Sequence, residues 1–197
     1  MGQGGYVFVE WDSVRRQYPE FQKALAELEA RVIEKCSRAW APRTFGGLTP
    51  REDQFGRTSI LPALFKDNAG SQMVTWRQYF SSSGHQTLIA GVRTGNTIPE
   101  DFKVAWIGLM FPNKQQHITE IRWQTSDKKF VRVNIEELKG YSKPAIIFEE
   151  GFILDEEQGF ELYGYVDRAG VYQRIVMLGA CFSRVIDKVL RSPGSAI

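Results

Sequence analysis

The stretch that decides the fold runs from Ala145 to Phe182: AIIFEEGFIL (145–154), DEEQG (155–159), FELYGYV (160–166), DRAG (167–170) and VYQRIVMLGACF (171–182). Three apolar runs of strand length are separated by turn chemistry, and no helical period fits between them. The same pattern extends toward the amino terminus. Met73–Phe80 sets Val74, Trp76 and Phe80 against Thr75, Arg77 and Tyr79. Thr87–Val92, Phe102–Phe111 and Ile118–Thr125 follow, and Phe130–Ile135 places Val131, Val133 and Ile135 opposite Arg132 and Asn134. The breaks are SSSG (81–84), TGN (94–96), Pro112–Asn113 and Ser126–Asp127. About eight strands at this spacing predict a mainly β protein, an antiparallel sandwich or barrel. A parallel α/β sheet is disfavoured, because helix-length segments do not alternate with the strands.

A single long helix precedes this series. Phe21, Leu25, Leu28, Val32 and Cys36 fall on one face between Pro19 and Ala39, and Pro19 suits a first helical turn. Lys23–Glu27, Glu27–Arg31 and Glu34–Arg38 pair along the other face. Tyr6–Trp11 reads as a short strand before the helix, with a first helical turn over Val14–Tyr18. Ser183 is positioned to cap a short carboxy-terminal helix carrying Val185, Ile186, Val189 and Leu190, although the preceding strand could also run on into it. The organisation expected is a strand and helical arm over 1–45, an extended connector over 46–71 with one short strand near Ile60–Phe65, a β domain over 72–182, and a helix and tail over 183–197.

Composition narrows the function classes. The 197 residues carry 25 basic and 23 acidic side chains, a balance that gives no general attraction to nucleic acid or anionic lipid. Apolar runs fall well short of the roughly 18 residues of a membrane span. The amino terminus lacks a basic region followed by an apolar run, so synthesis in the cytosol without a signal peptide is expected. Cys36 and Cys181 read as small buried hydrophobes, with one long-range bridge between them as the alternative.

Few constellations carry chemistry. His85 and His117 are the only histidines, too sparse for the several histidines and a carboxylate that metal-dependent β-barrels use. Phosphate-cradling glycine motifs and a nucleophile elbow are absent. Asp155, Glu156 and Glu157 read as a polar hairpin loop, with calcium binding as the one functional alternative. Trp76–Tyr79 and Arg122–Trp123 interleave cations with rings, which strand alternation alone explains. No catalytic group and no cofactor is expected.

In strand number and turn spacing over Gln72–Phe182 the chain resembles the jelly-roll coat proteins of viruses, without a diagnostic motif. That resemblance implies a structural, self-associating protein, a capsid or shell component of a virion, whose β domain forms the shell. Its partners would be copies of itself and other shell proteins, contacted through arms. The interface candidates are Phe21, Leu25, Leu28 and Val32, with Trp11, Trp40 and Phe45 beside them. The helix face would pack either on a neighbour or on its own sheet. The alternatives are a β module that binds a glycan or small molecule through Trp106, Trp123 and Tyr163–Tyr165, and a metal-dependent barrel enzyme using His85 and His117.

Overall fold

Phe102–Met110 is buried on both faces, and the other elements are layered around it. The computed structural model describes residues 6–9, 19–40, 55–126, 128–129, 132–136, 138, 144–186 and 189–190. In chain order these contain β1 (Tyr6–Val9), α1 (Pro19–Ala39), β2 (Phe55–Ser59), β3 (Phe65–Lys66), β4 (Arg77–Phe80), β5 (Gly84–Gly91), β6 (Phe102–Met110) and β7 (Ile118–Thr125). They continue with β8 (Lys128–Lys129), β9 (Val133–Asn134), β10 (Ala145–Leu154), β11 (Phe160–Val166), β12 (Val171–Arg174), β13 (Val176–Ile186) and β14 (Val189–Leu190). The chain is mainly β, every named strand pair is antiparallel, and α1 is the one long α-helix among the described residues.

One sheet has the order β1-β10-β6-β13, with β2 on the far side of β13. A second runs β3-β5-β11-β7, with β8 and β9 both pairing to β7. A separate two-stranded ribbon joins β4 to β12. The two large sheets share one apolar core, a sandwich-like arrangement. Trp106 from β6 lies edge-on to Trp123 from β7 at 5.6 Å, to Phe148 from β10 at 4.8 Å and to Phe160 from β11 at 5.3 Å. Its indole N–H donates to the Gly108 carbonyl at 2.7 Å, so the buried polar atom is satisfied.

The opposite face of the first sheet is covered by α1. Leu28, Val32, Cys36 and Trp40 pack with Ala105, Ile107, Ala145, Ile147, Leu178, Ala180 and Phe182 in a second core. This explains why β6 reads FKVAWIGLM without strict alternation: Val104 and Trp106 face the other sheet, whereas Ala105 and Ile107 face the helix. Gly151 makes the close approach possible. Its φ is +66°, and a Cβ there would lie 2.6 Å from Leu28 Cδ2 and 2.9 Å from Ile107 Cδ1. Burying the four helix side chains contributes about 1.5–3 kcal/mol for each large one.

The structure changes several expectations. Where a helix is expected from Ser183, β13 continues to Ile186 and β14 folds back on it, with Val185 opposite Leu190. Ser183 and Arg184 also pair with Gly56 and Phe55 of β2, so the backbone finds its partners in a sheet. Val185, Ile186 and Val189 are β-branched and suit that geometry. The apolar run Val171–Phe182 serves two sheets, dividing at Ile175, whose N–H donates to the Trp76 carbonyl. In the connector strands lie at Phe55–Ser59 and at Phe65–Lys66, the second at the end of the expected segment, and Pro62–Leu64 between them forms a 3-10 turn. Trp11, Phe45, the expected turn at Val14–Tyr18 and the side chain of Phe21 lie outside the described residues.

Candidate functional site

Leu28, Val32 and Trp40, candidates for contact with a neighbour, are buried against the chain's own first sheet, and Leu25 packs at the edge of that core. A ring of polar contacts fastens the helix further. Arg57 Nε and Nη2 donate to the two Glu29 oxygens at 2.7 and 2.6 Å, and Arg31 donates to the Glu150 carbonyl at 3.2 Å.

The acidic loop between β10 and β11 belongs to the same fastening. The Lys103 ammonium, on the helix-facing side of β6, lies 3.1 Å from Asp155 Oδ1 and 3.1 Å from Glu156 Oε1. Asp155 Oδ2 pairs with Lys35 of α1. Glu156 Oε2 accepts from the Trp40 indole at 3.2 Å and from the Asp101 backbone N–H at 3.1 Å. Burial works to raise the pKa of both carboxyls, but hydrogen bonds and charge from the lysines, with Trp40 for Glu156, outweigh it and lower both. Burial likewise works to lower Lys103, and the two carboxylates raise it. The calcium alternative fares poorly on this geometry: two of its three carboxylates are turned onto ammonium groups, and Glu157 is exposed at φ +59°. Sequence reasoning finds these acids but misses Lys35 and Lys103, which lie far away along the chain.

His85 and His117 flank opposite sides of β11. His85 meets the Tyr165 ring at 5.0 Å, and His117 Nδ1 lies 2.8 Å from Asp167 Oδ1. Among the described residues no three His, Cys, Asp or Glu side chains converge as a metal-binding set. Cys36 and Cys181 are free buried thiols, each pushed up to about 12 by burial, which leaves little thiolate at neutral pH. Of the proposed ring platform, Trp106 and Trp123 are core residues. Tyr163 and Tyr165 lie on the open face of the second sheet, where Arg122 sits 5.0 Å over the Tyr163 ring.

The most developed surface constellation is on the β4–β12 ribbon. Gln78, Phe80 and Gln173 turn inward, and the wet face carries Arg77 opposite Arg174 and Tyr79 opposite Tyr172. Tyr79 is 49% and Tyr172 53% exposed, with ring centres 4.9 Å apart. The Arg77 guanidinium lies over the Tyr172 ring at 4.1 Å. Asn113 pins the neighbouring loop to β12, accepting from the Arg174 backbone N–H at 2.7 Å and donating to the Tyr172 carbonyl at 3.4 Å. Arg77, Pro112, Asn113 and Arg174 line an open cleft of about 260 Å³. Alternation in 77–80 shows one half of this face, and VYQR is RQYF reversed except that Val171 stands opposite Phe80. Their pairing is a tertiary fact that spacing does not reveal.

No protein-family model matches the chain, and no curated protein and no solved structure matches it either.

Proposed function

We propose that the chain is a self-assembling structural protein, a capsid or shell component of a virion, whose β body forms the shell. The observation that carries this reading is the strand order. Taking β2, β5, β6, β7, β9, β10, β11 and β13 as one to eight in chain order, the sheets run 1-8-3-6 and 2-7-4-5. That order supports a jelly roll, two interlocked Greek keys, the architecture on which many virion shells are built. Lectins and cupins share the architecture. The cupin variant needs clustered metal ligands, which the described residues do not bring together.

On this reading α1 is part of the body and not a reaching arm, because its apolar face is buried at home. Contacts with copies of the chain, or with other shell proteins, then fall to exposed surfaces such as the outer face of the second sheet with His85, Tyr163 and Tyr165. Tyrosine is enriched at the centres of interfaces. No helix among the described residues is long and apolar enough to cross a membrane.

Light scattering coupled to size exclusion, with electron microscopy of the same fractions, tests the proposal. The expected result is a discrete oligomer or closed particle whose mass is a multiple of 22.5 kDa. A monomer at every concentration and ionic strength overturns it.

A further inference from the structure

We propose that the cleft between Arg77 and Arg174 binds a phosphate monoester carried on a planar ring, as in a nucleoside monophosphate. The two arginines stand directly opposite each other across an antiparallel pair. Such partners have Cβ atoms about 5 Å apart, and like charges at that spacing are destabilising. Among the described residues neither guanidinium is in ion-pair distance of a carboxylate. Apart from the stacking of Arg77 on Tyr172, nothing described offsets the repulsion.

The lining dictates an acceptor-rich ligand. Each guanidinium offers five N–H donors and no acceptor. Pro112 has no polar side chain, and the Asn113 carboxamide is engaged with the backbone of β12. One fork satisfies a carboxylate. Two forks match a phosphate monoester, with three terminal oxygens and a charge of about −1.5 to −2 at neutral pH. The surroundings agree: the segments 72–80, 111–117 and 167–174 carry Arg77, Lys114, Arg168 and Arg174 against Asp167 alone. That one carboxylate already faces His117.

The ring requirement comes from the tyrosines. Tyr79 and Tyr172 are half exposed beside the cation pair, and Arg77 is held against Tyr172 by its stacking. A base placed over Tyr79 while its phosphate meets the two forks uses both features at once, and base–aromatic stacking adds about 1–3 kcal/mol, roughly fivefold to 150-fold in affinity. The site is independent of the shell reading, since it needs only one copy of the chain.

Calorimetric titration of the full chain at low salt with uridine monophosphate, uridine and inorganic phosphate tests this. Uridine monophosphate is expected to bind about tenfold or more tighter than phosphate, and uridine without phosphate to bind weakest. Arg77→Gln and Arg174→Gln are each expected to weaken the nucleotide about tenfold or more. Arg174→Lys, which keeps the charge and removes the fork, is expected to weaken it several-fold. Arg168→Gln changes charge equally outside the cleft and is expected to stay within about twofold. Tyr79→Leu is expected to bring the nucleotide down to the level of phosphate. Equal binding by the parent and Arg174→Gln, an equal loss in Arg168→Gln, or no heat with the nucleotide overturns the proposal. Thermal unfolding of each variant confirms that the exposed substitutions leave the fold intact.

Discussion

The Lys103 ammonium stands 3.1 Å from the Glu156 carboxylate while its own side chain is only 5% exposed. A cation so deeply placed persists because two carboxylates meet it, and those carboxylates are themselves tied to α1 through Lys35 and Trp40. The charge cluster therefore joins three elements: the central strand, the helix and the β10–β11 loop.

Removing the cation tests that arrangement. Lys103→Met leaves Asp155 and Glu156 facing each other with one ammonium gone, and the expected loss is about 2–3 kcal/mol. For a chain of this size that lowers the melting temperature by about 4–12 °C. Thermal unfolding by circular dichroism checks it, and an unchanged midpoint would mean the cluster is dispensable.

Acid should unfasten the same cluster. Asp155 and Glu156 have folded-state pKa values below their ordinary ones, so their contribution is complete above the usual carboxylate range near about pH 4 and disappears as pH falls through the folded values. Lys103, raised above its ordinary value of 10.5, adds stability that is complete below that value and is lost only as pH climbs through the folded one. Urea midpoints measured from pH 2 to 7 are expected to rise with pH in the parent. The rise should be shallower in Asp155→Asn/Glu156→Gln, and identical slopes in the two proteins would contradict this.

Gly151 offers a separate probe of how the helix sits. Gly151→Ala introduces a Cβ at φ +66° within 2.6 Å of Leu28 Cδ2 and is expected to destabilise by about 1–3 kcal/mol. Hydrogen exchange should localise the damage to 22–40 and the strand opposite. Uniform protection equal to that of the parent would mean the helix approaches less closely than described.

Much of the build was readable in the residues. Pro19–Ala39 is a helix over the expected span because its apolar face recurs at 3.6-residue intervals. Ile118–Thr125, Ala145–Leu154 and Phe160–Val166 match their expected limits because polar turns bound them on each side. The end of the chain misled because Val185, Ile186, Val189 and Leu190 fit a helical face as readily as a strand, and only their pairing with one another, next to that of Ser183 and Arg184 with Gly56 and Phe55, decides between them. The candidate sites were less legible. Trp106 and Trp123 look alike as platform or core in one dimension, and the opposition of Arg77 to Arg174 exists only once β4 and β12 are in register.

Because β6 lends one row of side chains to the inter-sheet core and the alternate row to the helix, neither layer can melt while the other stays dry. The helix is thus thermodynamically inseparable from the rest. Any truncation that begins after Trp40 strips Ala105, Ile107 and Phe182 bare and turns a folded protein into a sticky one.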